Sequence, residues 1–240
     1  ANAPFSISSS MQVSEAFWNS SIGRKSVVAV TGTLLSLWLL AHMAGNLQVF
    51  LGPDAINAYG EALRKYPAFL WFMRIGTLVP FAVHLTFAIR LTRENRAARP
   101  EKYKHPGTVQ ASFASRTMIL TGLLIFAYAL YHLAHYTLGW AHPELYHFKD
   151  DMGRHDVYRM IVSSFRNVYI SVAYLAAMCV TAVHLSHGVQ SVFQTVGWNN
   201  PVWMRRYKVI AVFFAVLIFI GFTSIPVAVL AGVLKLPGEM

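Results

Sequence analysis

The chain has 240 residues, of which 55% are hydrophobic and only 12% are charged. Soluble domains carry about 25% charged residues, so this composition excludes an ordinary soluble enzyme and indicates an integral membrane protein. The formal net charge is +10, but the basic residues lie between apolar runs rather than in a tail or stripe, so no nucleic-acid partner is expected.

Long stretches without Asp, Glu, Lys or Arg predict the membrane-spanning segments. A helix needs about 20 apolar residues to cross a bilayer. A polar segment, residues 1–24, precedes the first stretch and lacks the basic start and cleavage site of a secretory signal. The sequence therefore predicts an all-α membrane protein, with one transmembrane domain over residues 1–240. Its five predicted helices cover residues 26–50, 68–91, 114–139, 165–192 and 208–233.

Five crossings place alternate loops on opposite sides, and the basic residues gather on one of them. The N-terminal segment and the loops after the second and fourth helices carry twelve basic and three acidic residues, a net charge of +9. The other side carries eight basic and seven acidic residues, a net charge of +1. The positive-inside rule then predicts a cytoplasmic N-terminus and an outside C-terminus.

The ionisable residues inside the predicted spans are histidines. No carboxylate lies in any span, so the chain lacks the acidic pathway that is typical of proton pumps and ion-coupled transporters. Ionisable groups in a bilayer are costly and mark functional sites, although a lone buried histidine is often only a hydrogen-bonded core residue. The six intramembrane histidines are His42, His84, His132, His135, His184 and His187, while His105, His142, His147 and His155 fall in loops and are interpreted as surface residues.

Two short repeats connect the helices that carry these histidines. In the first and third helices a Thr-Gly pair stands before a histidine, and the histidine comes ten positions after the glycine. The second and fourth helices share an Ala-Val-His-Leu motif. These elements are Thr31-Gly32 with His42, Thr121-Gly122 with His132, and the motifs around His84 and His184.

The predicted topology places these histidines in two pairs at two depths. His42 and His132 lie 17 and 16 residues beyond the preceding basic residue, about 24–26 Å from the inner face at 1.5 Å per residue. His84 lies six residues before Arg90, and His184 is expected at a similar depth near the inner face. Two facing imidazoles suit bis-histidine haem ligation, whereas zinc needs three or four converging ligands. The sequence therefore favours two haem groups.

Small residues near these histidines predict space for a porphyrin ring. Gly188 lies one turn after the fourth-helix ligand, on the same face. Gly32 and Gly122 lie about 15 Å inward of the outer pair, near the expected depth of the inner haem. The alternative is ordinary small-residue packing between membrane helices.

Two further histidines are rival ligands. His135 and His187 each follow a proposed ligand by one turn, but the internal repeat favours His132 and His184 because Phe87 occupies the position that corresponds to His187. We therefore interpret His135 and His187 as hydrogen-bonding partners of a haem propionate or of the backbone.

Four segments of the chain, in order, resemble the dihaem cytochrome b membrane anchor of succinate dehydrogenase and fumarate reductase, in its single five-helix form. They are TGTLLSLWLLAHM, VPFAVHLTFAIR, RTMILTGLLIFAYALYHL and VHLSHGVQSVFQTVGW. The resemblance extends over nearly the whole chain. It implies that His84 and His184 ligate a proximal haem near the cytoplasm and that His42 and His132 ligate a distal haem.

The resemblance also implies an electron-transfer function in the bacterial cytoplasmic (inner) membrane. A flavoprotein subunit and an iron–sulfur subunit would dock on the cytoplasmic face, and electrons would pass through two haem b groups to a membrane quinone, menaquinone or ubiquinone. The chain would be the non-flavin subunit of an enzyme complex that could assemble into a higher oligomer. The alternatives are the cytochrome b of a formate dehydrogenase or hydrogenase, and a haem-free membrane anchor or transporter.

Side chains near the helix ends receive roles from the same resemblance. Arg166, in the motif Ser163-Ser164-Phe165-Arg166, would bind a propionate of the distal haem, with a snorkelling arginine as the alternative. Glu61 would belong to an outer quinone site, or be a solvated loop charge. Ser26 and Trp18 would instead form an inner quinone site. Weaker partners of the proximal haem are Arg24, Lys25 and Lys208.

One position departs from the family pattern. Some relatives have a glutamate two residues before the fourth-helix ligand, whereas this chain has Ala182. That departure puts proton transfer across the membrane through such a group in doubt.

Overall fold

The described part of the chain is almost entirely helical. The computed structural model describes residues 20–98 and 112–239. A 3-10 turn, Leu47–Leu51, continues the first helix, and a π-helical turn, Leu133–Thr137, continues the fourth. The helices in these ranges are α1 (Ser21–Asn46), α2 (Pro53–Lys65), α3 (Pro67–Ala97), α4 (Phe113–His132), α5 (Pro143–Tyr146), α6 (Val157–Arg166), α7 (Val168–Thr195) and α8 (Pro201–Leu230).

Five helical segments in the described ranges are long and apolar enough to cross a membrane. They are α1 with its 3-10 turn, α3, α4 with its π turn, α7 and α8, each 25 to 31 residues long. This confirms the predicted all-α, five-span, multi-pass membrane architecture. Because a helix needs only about 20 residues to cross the hydrocarbon core, the extra turns reach the interfacial regions. Arg74 lies over the ring of Trp71 there, and Arg206 lies over that of Trp203.

Helix boundaries differ from the predicted ones where a capping residue decides them rather than hydropathy. α8 begins at Pro201 instead of residue 208, because the Asn200 side chain accepts from the backbone N–H of Val202 at 2.9 Å. Proline also suits the first helical position. Similarly, α7 begins at Val168 rather than 165, because the Asn167 side chain caps it.

Three helices outside the spans, α2, α5 and α6, are absent from the sequence-based prediction because none of them has a long apolar run. They pack together at one end of the bundle. Asn57 of α2 is buried at 1% exposure, donates to Asp156 at 3.1 Å and accepts from the backbone N–H of Tyr158 at 3.0 Å. We call this end, with α2 and residues 143–166, the capped end.

Ion pairs show which helix ends share a side of the bundle. Arg24 at the start of α1 pairs with Glu94 near the end of α3. We call this the basic end, because eight of the 20 basic residues lie beside these two helix ends in the sequence. At the capped end, Arg166 pairs with Glu239 beyond α8. The start of α1 and the end of α3 thus lie on one side and the end of α8 on the other, as five consecutive crossings require.

The hydrophobic core is uneven. One buried cluster, which includes Val162 and Ile225, lies at the capped end, and a smaller one, which includes Met43 and Ile218, joins α1, α7 and α8. No residue of α3 is buried. The predicted ligands belong to neither buried cluster and lie between α1, α3, α4 and α7.

Candidate functional site

A cavity of about 1760 Å³ extends between α1, α3, α4 and α7. Sites for one small molecule usually enclose about 300–1,000 Å³, so this space can hold more than one large group. Its walls are mostly apolar, from Lys25 at the basic end to Arg64 of α2 at the capped end. The predicted ligands and glycines all line it, namely His42, His84, His132, His184, Gly32, Gly122 and Gly188.

His42 and His132 meet across this cavity from α1 and α4. Their ring centroids are 5.9 Å apart and the rings are nearly perpendicular, at 87°. Bonds from a metal to imidazole nitrogen are about 2.0–2.1 Å long, so one metal between two rings needs centroids about 6 Å apart. The Nδ1 atom of His132 is buried and has no hydrogen-bond partner among the described residues. This pair fits a single metal ion bound from two sides.

His42 is further held by its own helix. Its ring stacks on Trp38, with centroids 4.7 Å apart. The amide nitrogen of Asn46, one turn later, lies 3.3 Å from the Nε2 atom and donates to the His42 carbonyl at 2.8 Å. These contacts within α1 restrict the rotation of the imidazole, which lines the cavity.

The hydrogen bonds of His84, on α3, to α1 determine which of its ring nitrogens carries the hydrogen. Its Nδ1 atom lies 3.1 Å from the Val28 carbonyl oxygen and 3.1 Å from the Thr31 hydroxyl. A carbonyl can only accept, so Nδ1 carries the hydrogen and, in the neutral ring, Nε2 keeps its lone pair. The Thr31 hydroxyl donates to Val27 at 2.7 Å, so its oxygen accepts from the same N–H.

His184, on α7, is held against α4 in the same way. Its Nδ1 atom lies 3.0 Å from the Thr121 hydroxyl, which donates to the Thr117 carbonyl at 3.0 Å. It also bonds to the backbone of Met118 and is near enough to His84 for electrostatic interaction. Metal-binding histidines usually donate their other ring N–H to a carbonyl or similar group, and both rings follow this pattern.

The Thr-Gly repeat therefore forms a seat for a histidine of the neighbouring helix. A Cβ atom on Gly32 would lie 3.1 Å from Cε1 of His84, and one on Gly122 would lie 3.4 Å from Cε1 of His184. The predicted clearance for a porphyrin remains a prediction, but the nearest neighbours of these glycines are imidazoles. The role of the threonines was missed, although a threonine precedes the glycine in both copies of the repeat.

The same contacts separate the histidines into two levels. Gly32 faces His84, and His42 lies ten residues further along α1, which is about 15 Å at the rise of an α-helix. Gly122 and His132 repeat this relation on α4, with His184 opposite the glycine. The structure thus brings together the residues that the sequence paired, each pair contributed by two helices.

A π-helical turn separates His135 from His132. The backbone N–H of Leu138 bonds to the carbonyl of Leu133 at 2.9 Å, so an extra residue enters the turn and His135 leaves the cavity side. His135 is 1% exposed, and its ring nitrogens bond to the hydroxyls of Tyr174 at 3.0 Å and Ser164 at 3.1 Å. Its partners are therefore side-chain hydroxyls, which corrects the expected propionate or backbone partner.

His187 occupies a different environment from His135. It lies one turn after His184, is half-buried and lines the cavity. No hydrogen bond of its side chain is formed within residues 20–98 and 112–239. His187 therefore remains the alternative to His184 as the ligand that is paired with His84.

Several other predicted residues lie away from the cavity. Arg166 ends α6 and pairs with Glu239, and its guanidinium holds the pKa of that carboxyl below its ordinary value. Glu61 is on the exposed face of α2, and the Ser26 hydroxyl donates to Ile22 at 3.0 Å. Neither lines the cavity, and Trp18 lies outside the described residues. Of the three weaker candidates, Lys25 lines the cavity, whereas Arg24 and Lys208 do not.

Two loop histidines are not the surface residues that the sequence indicated. His142 is half-buried and lies 3.1 Å from the Tyr131 hydroxyl. His155 is also half-buried, and burial lowers its pKa to about 4, with a further contribution from Arg64. His147 is exposed, and His105 lies outside the described residues.

The donor set does not suit zinc in the part of the chain that the structure describes. No three side chains among the histidines, cysteine and carboxylates there are grouped so as to hold a metal ion. Structural and catalytic zinc sites need three or four converging ligands. The facing pairs instead suit a metal whose remaining ligands belong to a planar macrocycle.

No family is assigned to this chain by similarity to known proteins. Comparisons with protein-family models, with curated proteins and with solved structures found no match. Function is therefore inferred from the residues and their geometry, together with the resemblance of the four segments described above.

Proposed function

We propose that this chain is the dihaem cytochrome b membrane anchor of a succinate:quinone oxidoreductase. The observation that carries the proposal is the arrangement of two histidine pairs, about 15 Å apart along α1, inside one apolar cavity. His84 and His184 would hold one haem b, and His42 and His132 the other. Bound haem supplies an iron that takes up and releases single electrons at a potential set by its ligands and surroundings.

The side chains around His84 and His184 prepare this pair for the proposed role. Hydrogen bonds from Nδ1 of His84 and His184 fix the ring orientation and make Nε2 a stronger electron donor. The Thr-Gly seats on α1 and α4 hold both rings on rigid helices. The apolar walls limit solvent access, which is one of the factors that set a redox potential.

The charge distribution supports an orientation for the complex. The basic end would be cytoplasmic by the positive-inside rule, and the flavoprotein and iron–sulfur subunits would dock there. Electrons would enter at His84 and His184, pass toward His42 and His132, and reduce a membrane quinone. In this proposal the chain lies in the bacterial cytoplasmic (inner) membrane.

Haem content and succinate-driven reduction test this function. The purified chain is expected to contain two low-spin b haems, visible in a reduced-minus-oxidised spectrum. In membranes that contain the partner subunits, succinate is expected to reduce them. A chain without haem would overturn the proposal. Reduction by formate or hydrogen but not by succinate would favour the alternative cytochromes.

The seat at Gly32 gives a mutational prediction for the basic-end haem. Gly32→Ala places a Cβ atom 3.1 Å from Cε1 of His84, so the ring must shift by a few tenths of an ångström, and this weakens its hydrogen bonds to α1. Loss of such supporting contacts typically lowers metal affinity about 10–100-fold, and we expect a loss of about tenfold at this site. Transfer of haem to excess apomyoglobin measures it.

Gly76→Ala is the matched control. Gly76 also lies in a spanning helix, but a Cβ atom there meets nothing within 4 Å. The control is expected to retain both haems as the wild type does. Equal haem loss from the two variants would show that the seat at Gly32 has no special role.

A further inference from the structure

One face of α2 closes the cavity at the capped end. Residues at helical spacing on this face line the cavity, and two of them, Tyr59 and Arg64, are also exposed to solvent. Glu61 and Lys65 are exposed and do not line the cavity. The face packs closely on its neighbours, because a Cβ atom on Gly45 of α1 would lie 2.8 Å from the Tyr59 hydroxyl. The residues of this face are Ile56, Tyr59, Gly60, Leu63 and Arg64.

Arg64 is the arginine on this face, and its charge is not neutralised by a described carboxylate. Among the other arginines of the capped end, Arg154 bonds to Asp54 and Asp150 and Arg166 bonds to Glu239. Arg159 has no carboxylate partner among the described residues either, but its guanidinium lies over the Phe148 ring. Arg64 forms no ion pair within residues 20–98 and 112–239. Its electrostatic neighbour His155 has a pKa lowered to about 4 by burial and by Arg64, so that imidazole is neutral at pH 7.

Arg64 lines the part of the cavity that is nearest to His42 and His132. The cavity wall at this end includes Gly45 and Asn46, one turn beyond His42, and Tyr59 of α2. A guanidinium offers two parallel N–H donors that match a carboxylate. The Arg64 guanidinium lines the cavity, is exposed and has no carboxylate partner among the described residues. It is thus suited to an anionic group that enters with a ligand.

We infer that Arg64 binds a carboxylate of the group held by His42 and His132. This inference rests on the proposed function, in which the carboxylate is a haem propionate. Arg64 then takes the role that the resemblance assigns to Arg166, which is engaged with Glu239. As a positioning residue, it also stabilises the reduced haem, because reduction removes a positive charge near the guanidinium.

Potentiometric titration of the holoprotein tests this role. Arg64→Gln is expected to lower the reduced-to-oxidised ratio of one haem about tenfold at fixed potential, which is a 59 mV decrease for a one-electron couple. The affected haem is the one that His132→Ala removes, and the other haem keeps its potential. Arg64→Lys retains the charge and is expected to show about a threefold change or less.

Two charge-removing controls separate this role from a general effect of charge. Lys65→Gln removes a charge from the adjacent exposed position, and Arg166→Gln removes the arginine paired with Glu239; both are expected to leave the two potentials unchanged. An equal decrease in Lys65→Gln overturns the inference, and so does a decrease in Arg166→Gln without one in Arg64→Gln.

The outcomes distinguish this inference from the proposed function. If the wild-type chain contains no haem, the proposed function fails and the inference with it. If both haems are present and Arg64→Gln leaves both potentials unchanged, only the inference fails. If Arg64→Gln loses haem altogether, Arg64→Lys decides. Full retention of both haems, with a change of about threefold or less that is confined to the His132-dependent haem, supports the inference, and loss of haem or a change at the other haem overturns it.

Discussion

Replacing His84 or His184 with alanine is expected to remove the same haem and to leave the other one in place. The two rings come from α3 and α7, and each is held by a Thr-Gly seat at the same level. A bis-histidine site that loses either ligand loses its low-spin iron. The haem-to-chain ratio is therefore expected to fall from about two to about one in each variant, as measured from the pyridine haemochrome spectrum.

The companion variants complete the assignment. His42→Ala and His132→Ala are expected to remove the other haem, since these rings face each other at 5.9 Å. His187→Ala is the matched control, because His187 also lines the cavity one turn after His184, and it is expected to retain both haems. If His84→Ala and His184→Ala removed different haems, the pairing would be wrong.

His135→Ala is expected to destabilise the protein strongly while both haems remain bound. The variant leaves a cavity in a buried site and takes away the partner of the Ser164 and Tyr174 hydroxyls. Cavities and unsatisfied buried polar groups each cost on the order of 1–3 kcal/mol or more, so we expect a loss of about 2–4 kcal/mol in the free energy of unfolding. Thermal unfolding of the detergent-solubilised protein measures the change.

Two other histidine variants show whether His135 has a structural role or is a haem ligand. His147→Ala changes an exposed loop residue and is expected to leave both stability and haem content unaltered. His132→Ala, three residues from His135, is expected to lose a haem. Loss of a haem in His135→Ala, without the loss of stability, would identify His135 as a ligand instead.

The five spans could be predicted because hydropathy and helix length are local properties of the chain. The ends of the helices could not be placed as well, since they depend on caps. Asn167 and Asn200 begin α7 and α8 in the structure, whereas hydropathy alone set the predicted starts at 165 and 208. The helices α2 and α6 were missed because their burial depends on contacts such as those of Asn57.

Part of the candidate site was also accessible from the sequence. Regular helix rise converts residue spacing into depth, so the four histidines could be sorted into two levels before any contact was known. The repeat also contained Thr31 and Thr121, but their contacts to His84 and His184 lie between different helices. A motif cannot show which ring lies across from it.

By itself the sequence determined the membrane class, the number of spans and the levels of the intramembrane histidines, because these follow from composition and from the constant geometry of a helix. Only the tertiary structure decided which side chains meet. It turned His135 away through a π turn, engaged Arg166 with Glu239 and placed Arg64 on the cavity wall. The physical reason is that side-chain partners depend on helix rotation and packing between distant segments, which neither hydropathy nor spacing specifies.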